Sequence, residues 1–150
     1  MSLLNESTAQ DFIHRLESLK SDTTPQWGKM NASEMIKHCK LALDIPLEKI
    51  SMKPNWFFKF LFGKWIKSKM TNDEIYSQGS PTAKEFVVHD KNLSIDNEKT
   101  LLIQNIRNFV ALSDEKLGAF VHPLVGKMTA NEWRKSQWKH LDHHWRQFGI

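Results

Sequence analysis

The chain has 150 residues, 40% hydrophobic and 25% charged, which suits one globular domain with a sizeable core and excludes wholesale disorder. Its net charge of +4 is scattered, with no Lys/Arg run longer than two residues, so nothing in it points to nucleic acid. A single cysteine, Cys39, excludes an intramolecular disulfide, and "MSLLNESTAQDF" lacks the basic-then-apolar order of a signal peptide, so a cytoplasmic protein is expected.

"STAQ" opens the first helix, with Ser7 as cap and Gln10 three residues on; Phe12, Ile13, Leu16 and Leu19 follow at helical spacing. Pro25 and Gly28 punctuate its end. "NASE" starts the second helix, Asn31 capping and Glu34 completing the box, and the helix runs to about Asp44 before Pro46. Met35, His38, Ala42 and Ile45 share one stripe of it, so His38 is expected to face inward. Cys39, beside it, lies off that line and reads as a small core residue.

Residues 55–69, "NWFFKFLFGKWIKSK", predict a short helix that is apolar nearly all round, best explained as core packing, a pocket wall or a dimer contact. Its apolar-rich part is interrupted by lysines and falls short of the roughly 20 residues that a membrane span needs, so stable insertion is not expected. Residues 71–93, with Gly79, Pro81, Asp90 and Asn92, read as a long connection of the kind that often serves as a lid. "EFVVH", residues 85–89, is the one β-like run. A further long helix runs from about Ser94 or Asp96 to Leu112, burying Leu101, Leu102, Asn105, Ile106, Phe109 and Leu112. "GAFVHPLVGKM" reads as a loop, and "TANE" caps the last helix with Thr129 and Glu132; Gly149 ends it after Phe148. The expected architecture is therefore all-α: a four-helix bundle with a short aromatic helix and a long connection between its second and third main helices.

That last helix carries "HLDHH". His140 and His144, four apart, share an inward line with Trp133, Gln137 and Gln147; His143 falls at its edge, and Arg134, Lys135, Lys139, Asp142 and Arg146 are expected to face water. Two histidines one turn apart can reach one metal ion, although two hydrogen-bonded, half-buried histidines satisfy the same spacing. His38 strengthens the metal reading, since bundle sites are built from facing helices, and three histidines with an open position describe a catalytic rather than a structural site. Imidazole suits both Zn and Ni. His122, in "HPLVG", is either a turn residue before Pro123 or a ligand or substrate contact from a folded-over loop. His14 and His89 read as surface residues.

The pairing of "WGKMNASEMIKHC" (residues 27–39) with "HPLVGKMTANEWRKSQWKHLDHHWRQFG" (residues 122–149) resembles the DinB-like superfamily over essentially the whole chain. Within it, the chain is similar to a branch known as a domain of unknown function with a terminal "HxxHHxxQFG" pattern. The resemblance implies a four-helix bundle, often dimeric, whose divalent metal is held by one histidine on the second helix and two on the last: here His38, His140 and His144. The superfamily it resembles includes thiol-dependent S-transferases and isomerases acting with low-molecular-weight thiols, as well as many members with no known activity, to which this branch mostly belongs. The chain departs from the branch at Val125, where an aromatic residue is usual.

The leading expectation is thus a metal-dependent transferase or hydrolase acting on a small molecule, with His143, Gln147, His122, Trp133 and Gln137 as supporting or substrate-contacting candidates. Its rivals are a non-catalytic metal- or ligand-binding bundle, and a membrane-surface protein docking through the lysine-interleaved aromatic segment.

Overall fold

The first helix is capped by Asn5, not Ser7, in the computed structural model, which describes residues 3–53, 56–80, 82–90 and 92–150. The Asn5 side chain accepts from the Thr8 amide at 3.0 Å, and the Thr8 hydroxyl accepts from the Asn5 amide at 3.0 Å. Thr8 also donates to the Leu3 carbonyl at 2.7 Å, a tether that Ser7 and Gln10 do not supply. Helix α1 accordingly spans Glu6–Glu17. Helix α2, Ala32–Asp44, starts on the expected Asn31–Glu34 box, both of whose bonds are 2.9 Å.

Helix α3 spans Trp56–Thr71; the expected start at Asn55 and the turn at Pro81 lie outside the described residues. The long connection contains a 3₁₀ turn at Lys84–Phe86, and "EFVVH" forms no strand. Ser94 caps α4, Ile95–Val110. The segment expected to be a loop instead holds a six-residue helix, α5 (Asp114–Ala119), and a two-residue antiparallel pair, β1 (Val121–His122) with β2 (Gly126–Lys127). Helix α6, Ala130–Phe148, begins on the Thr129–Glu132 box and ends at Gly149, whose φ of +69° is the left-handed conformation glycine accepts without steric cost. The chain is all-α apart from that hairpin, with six helices among the described residues.

Helix α2 packs against α4 and α6, and α1 against the same two. His38 meets His140, while Ala42, a turn further along α2, meets Gln137, a turn earlier on α6; these two helices are antiparallel. Leu4 donates to the Arg134 carbonyl at one end, and Arg15 to the Ile150 carbonyl at the other, so α1 and α6 run parallel. Between the four lie Phe12, Leu16, Met35, Ile36, Leu43, Leu102, Ile106, Phe109, Trp133, Leu141 and Trp145, all buried. Burial of each such large side chain contributes about 1.5–3 kcal/mol. Trp145 also satisfies its indole N–H on the Phe12 carbonyl at 3.0 Å, locking α6 to α1. Cys39 is in this core, and burial pushes its thiol pKa up, as a packing rather than a reactive residue requires.

Two expectations about surfaces are reversed. The aromatic segment is not core: α3 lies against the outside of α6 and leaves Trp56, Phe57, Phe60, Leu61 and Trp65 largely in solvent. Lys139, expected to face water, is 2% exposed. Its ammonium donates to the Lys69 carbonyl at 2.5 Å and to the Asn72 side-chain oxygen at 2.5 Å, closing the C-terminal end of α3. Docking of α3 is what covers this lysine, so the helical period of α6 alone does not reveal it.

Candidate metal centre

Helices α2 and α6 bring His38, His140 and His144 to one point. One ring nitrogen from each lies within 4.8 Å of the others, and the ring centroids are 4.7–4.9 Å apart. The antiparallel crossing makes this possible: His140 and His144 are stacked one turn apart, and His38 approaches between them from α2.

The proton positions of two rings follow from their partners. His38 Nδ1 lies 2.9 Å from the Phe86 carbonyl oxygen, which can only accept, so Nδ1 carries the hydrogen and Nε2 is the lone pair. His144 Nδ1 lies 2.8 Å from Gln147 Oε1. The Gln147 amide is itself oriented by donating through Nε2 to the Trp27 carbonyl at 2.7 Å, so Oε1 is the atom turned to His144. His144 therefore donates through Nδ1, and its Nε2 is also a lone pair. His140 Nε2 sits 2.9 Å from His38 Nε2, and its Nδ1 is buried without a hydrogen-bond partner. Since His38 Nε2 carries no proton, that approach is attractive only with a proton on His140 Nε2 or a cation between the rings.

All three rings are held neutral. Burial, followed by the neighbouring His144 and His38, drives His140 well below the ordinary imidazole pKa. Burial and His38 bring His144 down to about 3, against the Gln147 hydrogen bond, which raises it. Burial lowers His38, partly offset by the Phe86 carbonyl. Neutral imidazoles, two of them with acceptor partners on Nδ1 that leave Nε2 as a lone pair, are what a borderline divalent ion such as Zn or Ni selects. The residues fit such an ion.

The other sequence-predicted residues sort themselves around this point. His143, expected at the edge, is buried between Trp27, Tyr76 and the His144 ring, with centroids 5.8, 5.8 and 5.0 Å away. Gln137 is buried and donates weakly to the Ala42 carbonyl at 3.4 Å, its own oxygen unpartnered. Trp133 is fully buried two turns before His140 on α6. His122 packs on Trp133, centroids 5.2 Å apart, and its Nδ1 accepts from the Leu124 and Val125 amides at 3.1 and 3.3 Å. It is the turn residue of the β1–β2 hairpin, and the structure does not bring it to the three histidines. His14, facing Glu17 at 3.6 Å, and His89 are exposed.

Three contributors were not legible as site residues. The Phe86 and Trp27 carbonyls are backbone atoms, for which side-chain patterns give no signal. Tyr76 reaches His143 from the long connection, which also sends Asp90 to Lys37 and Asp73 to Lys135. This connection straps across α2 and α6 over the histidines, and Phe86 stands edge-on to His38. His140 is half-buried as a residue where His38 and His144 are buried, but its Nδ1 is enclosed. Two cavities, of about 540 and 510 Å³, lie elsewhere, one beside Lys67 and Thr129, the other beside Lys59 and His122.

Residues 2–149 match the family model described as "Protein of unknown function (DUF1569)". No curated protein and no solved structure matches the chain.

Proposed function

Because the chain belongs to the DUF1569 family of proteins of unknown function, its chemistry has to be argued from its site, and we propose that it is a metal-dependent enzyme. The residues assigned to the ion are His38, His140 and His144. The observation that carries this reading is the convergence of three neutral imidazoles, two with their lone pairs aimed inward by the Phe86 carbonyl and Gln147. The architecture is read as a DinB-like four-helix bundle of α1, α2, α4 and α6 in one domain, with the homodimer of that superfamily as its expected assembly.

A bound Zn or Ni lowers the pKa of a water or thiol beside it, supplying a nucleophile at neutral pH. The chain's own part is positional. Gln147 holds the His144 tautomer, the Phe86 carbonyl holds that of His38, and Trp27, Tyr76 and Phe86 exclude water around them. His143, in ring contact with His144, is assigned to the supporting shell. The reaction class this suits is S-transfer to or from a low-molecular-weight thiol, or hydrolysis, with the substrate approaching at the His140 edge.

A second reading, a non-catalytic metal-binding protein, is favoured by one observation: His38 and His144 are buried, and Phe86 stands edge-on against His38 while Trp27 and Tyr76 close around the neighbouring His143. Elemental analysis of untagged protein, purified without chelator, tests both. Stoichiometric Zn or Ni in the wild type and its loss in His140→Ala are expected; absence of metal, with no uptake on adding either ion, overturns both readings. Given metal, a screen of cellular thiols for S-transfer separates enzyme from binder.

A further inference from the structure

Six large apolar side chains of one helix are exposed: Trp56 is 76% exposed, Phe60 80% and Trp65 61%, with Phe57 and Leu61 more than half exposed and Phe62 46%. At 100° per residue they span about two thirds of the circumference of α3, with the exposed Lys64, Ser68 and Lys69 and the half-buried Lys67 and Thr71 inside the same arc. Gly63 is buried on the opposite side, and Lys59, Ile66 and Met70 are half-buried there against the rest of the protein. Helix α3 is thus apolar toward solvent and anchored on its other side. A contiguous patch of this kind marks an interaction surface.

We infer that this face lies on an anionic lipid bilayer, with α3 in the plane of the interface. Charge selects that occupant. The segment Trp56–Thr71 carries Lys59, Lys64, Lys67 and Lys69 and no acidic residue. Lys67 and Lys69 are paired with Glu132 and Glu74, whereas Lys59 and Lys64 join no ion pair among the described residues. Lys64 rises from the middle of the aromatic face, where a lysine stem lies along apolar surface and its ammonium reaches a phosphate layer. The two tryptophans of the exposed face, at 56 and 65, are side chains that favour the headgroup level. A second copy of the chain fits less well. Two such faces meeting about a two-fold axis would bring each Lys64 toward its counterpart, and α3 has no carboxylate to receive either. Among the described residues no helix is long and apolar enough to cross a membrane, and the attachment proposed is peripheral. The anchoring is rigid enough to present the face: Lys67 bonds to Glu132 at 2.9 Å and Lys139 closes the far end of the helix.

Vesicle co-sedimentation tests this independently of the metal site. Full-length protein is mixed with vesicles of phosphatidylcholine alone, or of phosphatidylcholine with a minor share of phosphatidylglycerol. Wild type is expected to sediment with the anionic vesicles and to be released by added salt. Trp56→Ser/Phe60→Ser should lower the partition coefficient by about tenfold or more, since each ring leaves water on binding. Lys64→Glu should lower it by about tenfold. These residues are exposed, so the variants should keep the wild-type Tm, which checks folding. Failure of wild type to bind anionic vesicles, or binding unchanged in Trp56→Ser/Phe60→Ser, overturns the proposal. So does a wild-type dimer that becomes monomeric in that variant without any vesicle binding, which would assign the face to a second copy.

Discussion

Gln147 fixes the orientation of His144: Oε1 of the amide lies 2.8 Å from the imidazole Nδ1, and the amide nitrogen is tied to the Trp27 carbonyl. The backbone of Gln147 is held as well, its carbonyl accepting from the Gln26 amide at 2.7 Å. One residue therefore connects the segment before α2 to a candidate ligand on α6. Gln147→Leu removes the acceptor and frees the imidazole to rotate or change tautomer. Metal affinity, measured by competition with a chromophoric chelator, should fall about 10- to 100-fold. Affinity equal to wild type would show that the ring is positioned by packing alone.

The same contact explains Gly28. Its φ is +86°, and a β-carbon added there would lie 2.5 Å from Gln147 Nε2. Gly28→Ala must therefore strain the backbone and push the amide off the Trp27 carbonyl. A loss of about 1–2 kcal/mol in urea unfolding is expected, together with weaker metal binding in the direction of Gln147→Leu. A variant with wild-type stability and affinity would mean that the 27–28 turn can shift as a unit.

His122 gives a pH dependence that does not involve the ligands. Burial first, and the Lys59 charge second, lower its pKa to about 4. Between that value and the unfolded value near 6.5 the unfolded chain binds the proton and the folded chain does not, so stability rises with pH across this window. The contribution is fully present above about pH 6.5 and is lost as pH falls toward 4, amounting to roughly 3 kcal/mol over the whole range. His122→Asn keeps an acceptor for the Leu124 and Val125 amides but cannot titrate. Urea titrations of metal-stripped protein at pH 7.5 and 5 should show a smaller drop for the variant by about 2 kcal/mol. The drop should not vanish, because His38, His140, His143 and His144 are depressed in the same direction.

The sequence could be read where one local rule decides the outcome. The Asn31–Glu34 and Thr129–Glu132 boxes, the Gly149 stop and the inward stripe carrying His140 and His144 all follow from neighbours within a turn or two. It misled where a distant partner decides. Ser7 loses to Asn5 because Thr8 bonds back to Leu3. Lys139 is buried by the arrival of α3, and α3 keeps its aromatic rings outside although its composition reads as core. Helix α5 and the two-residue strands are too short for any periodicity to register. At the candidate centre the three imidazoles were visible from helical phase, while the Phe86 and Trp27 carbonyls that orient the site were not, since every residue has a carbonyl.

Lys139 should prove a structural ammonium despite its place next to His140. At 2% exposure, it donates to the Lys69 carbonyl and the Asn72 side chain, and stands 4.6 Å from the centre of the Tyr76 ring. The last carbonyls of a helix have no intrahelical donor, and a cation there is favoured by the helix dipole. Lys139→Met keeps the length of the side chain but leaves the Lys69 carbonyl and the Asn72 amide oxygen without their donor. The expected cost is about 2–3 kcal/mol in urea unfolding. Because Tyr76 connects this lysine to His143, the variant should also loosen the strap, seen as faster amide hydrogen exchange across residues 72–80. Metal content should stay stoichiometric, since none of the three candidate ligands bonds to Lys139. Loss of metal with unchanged stability would instead place the ammonium in the site.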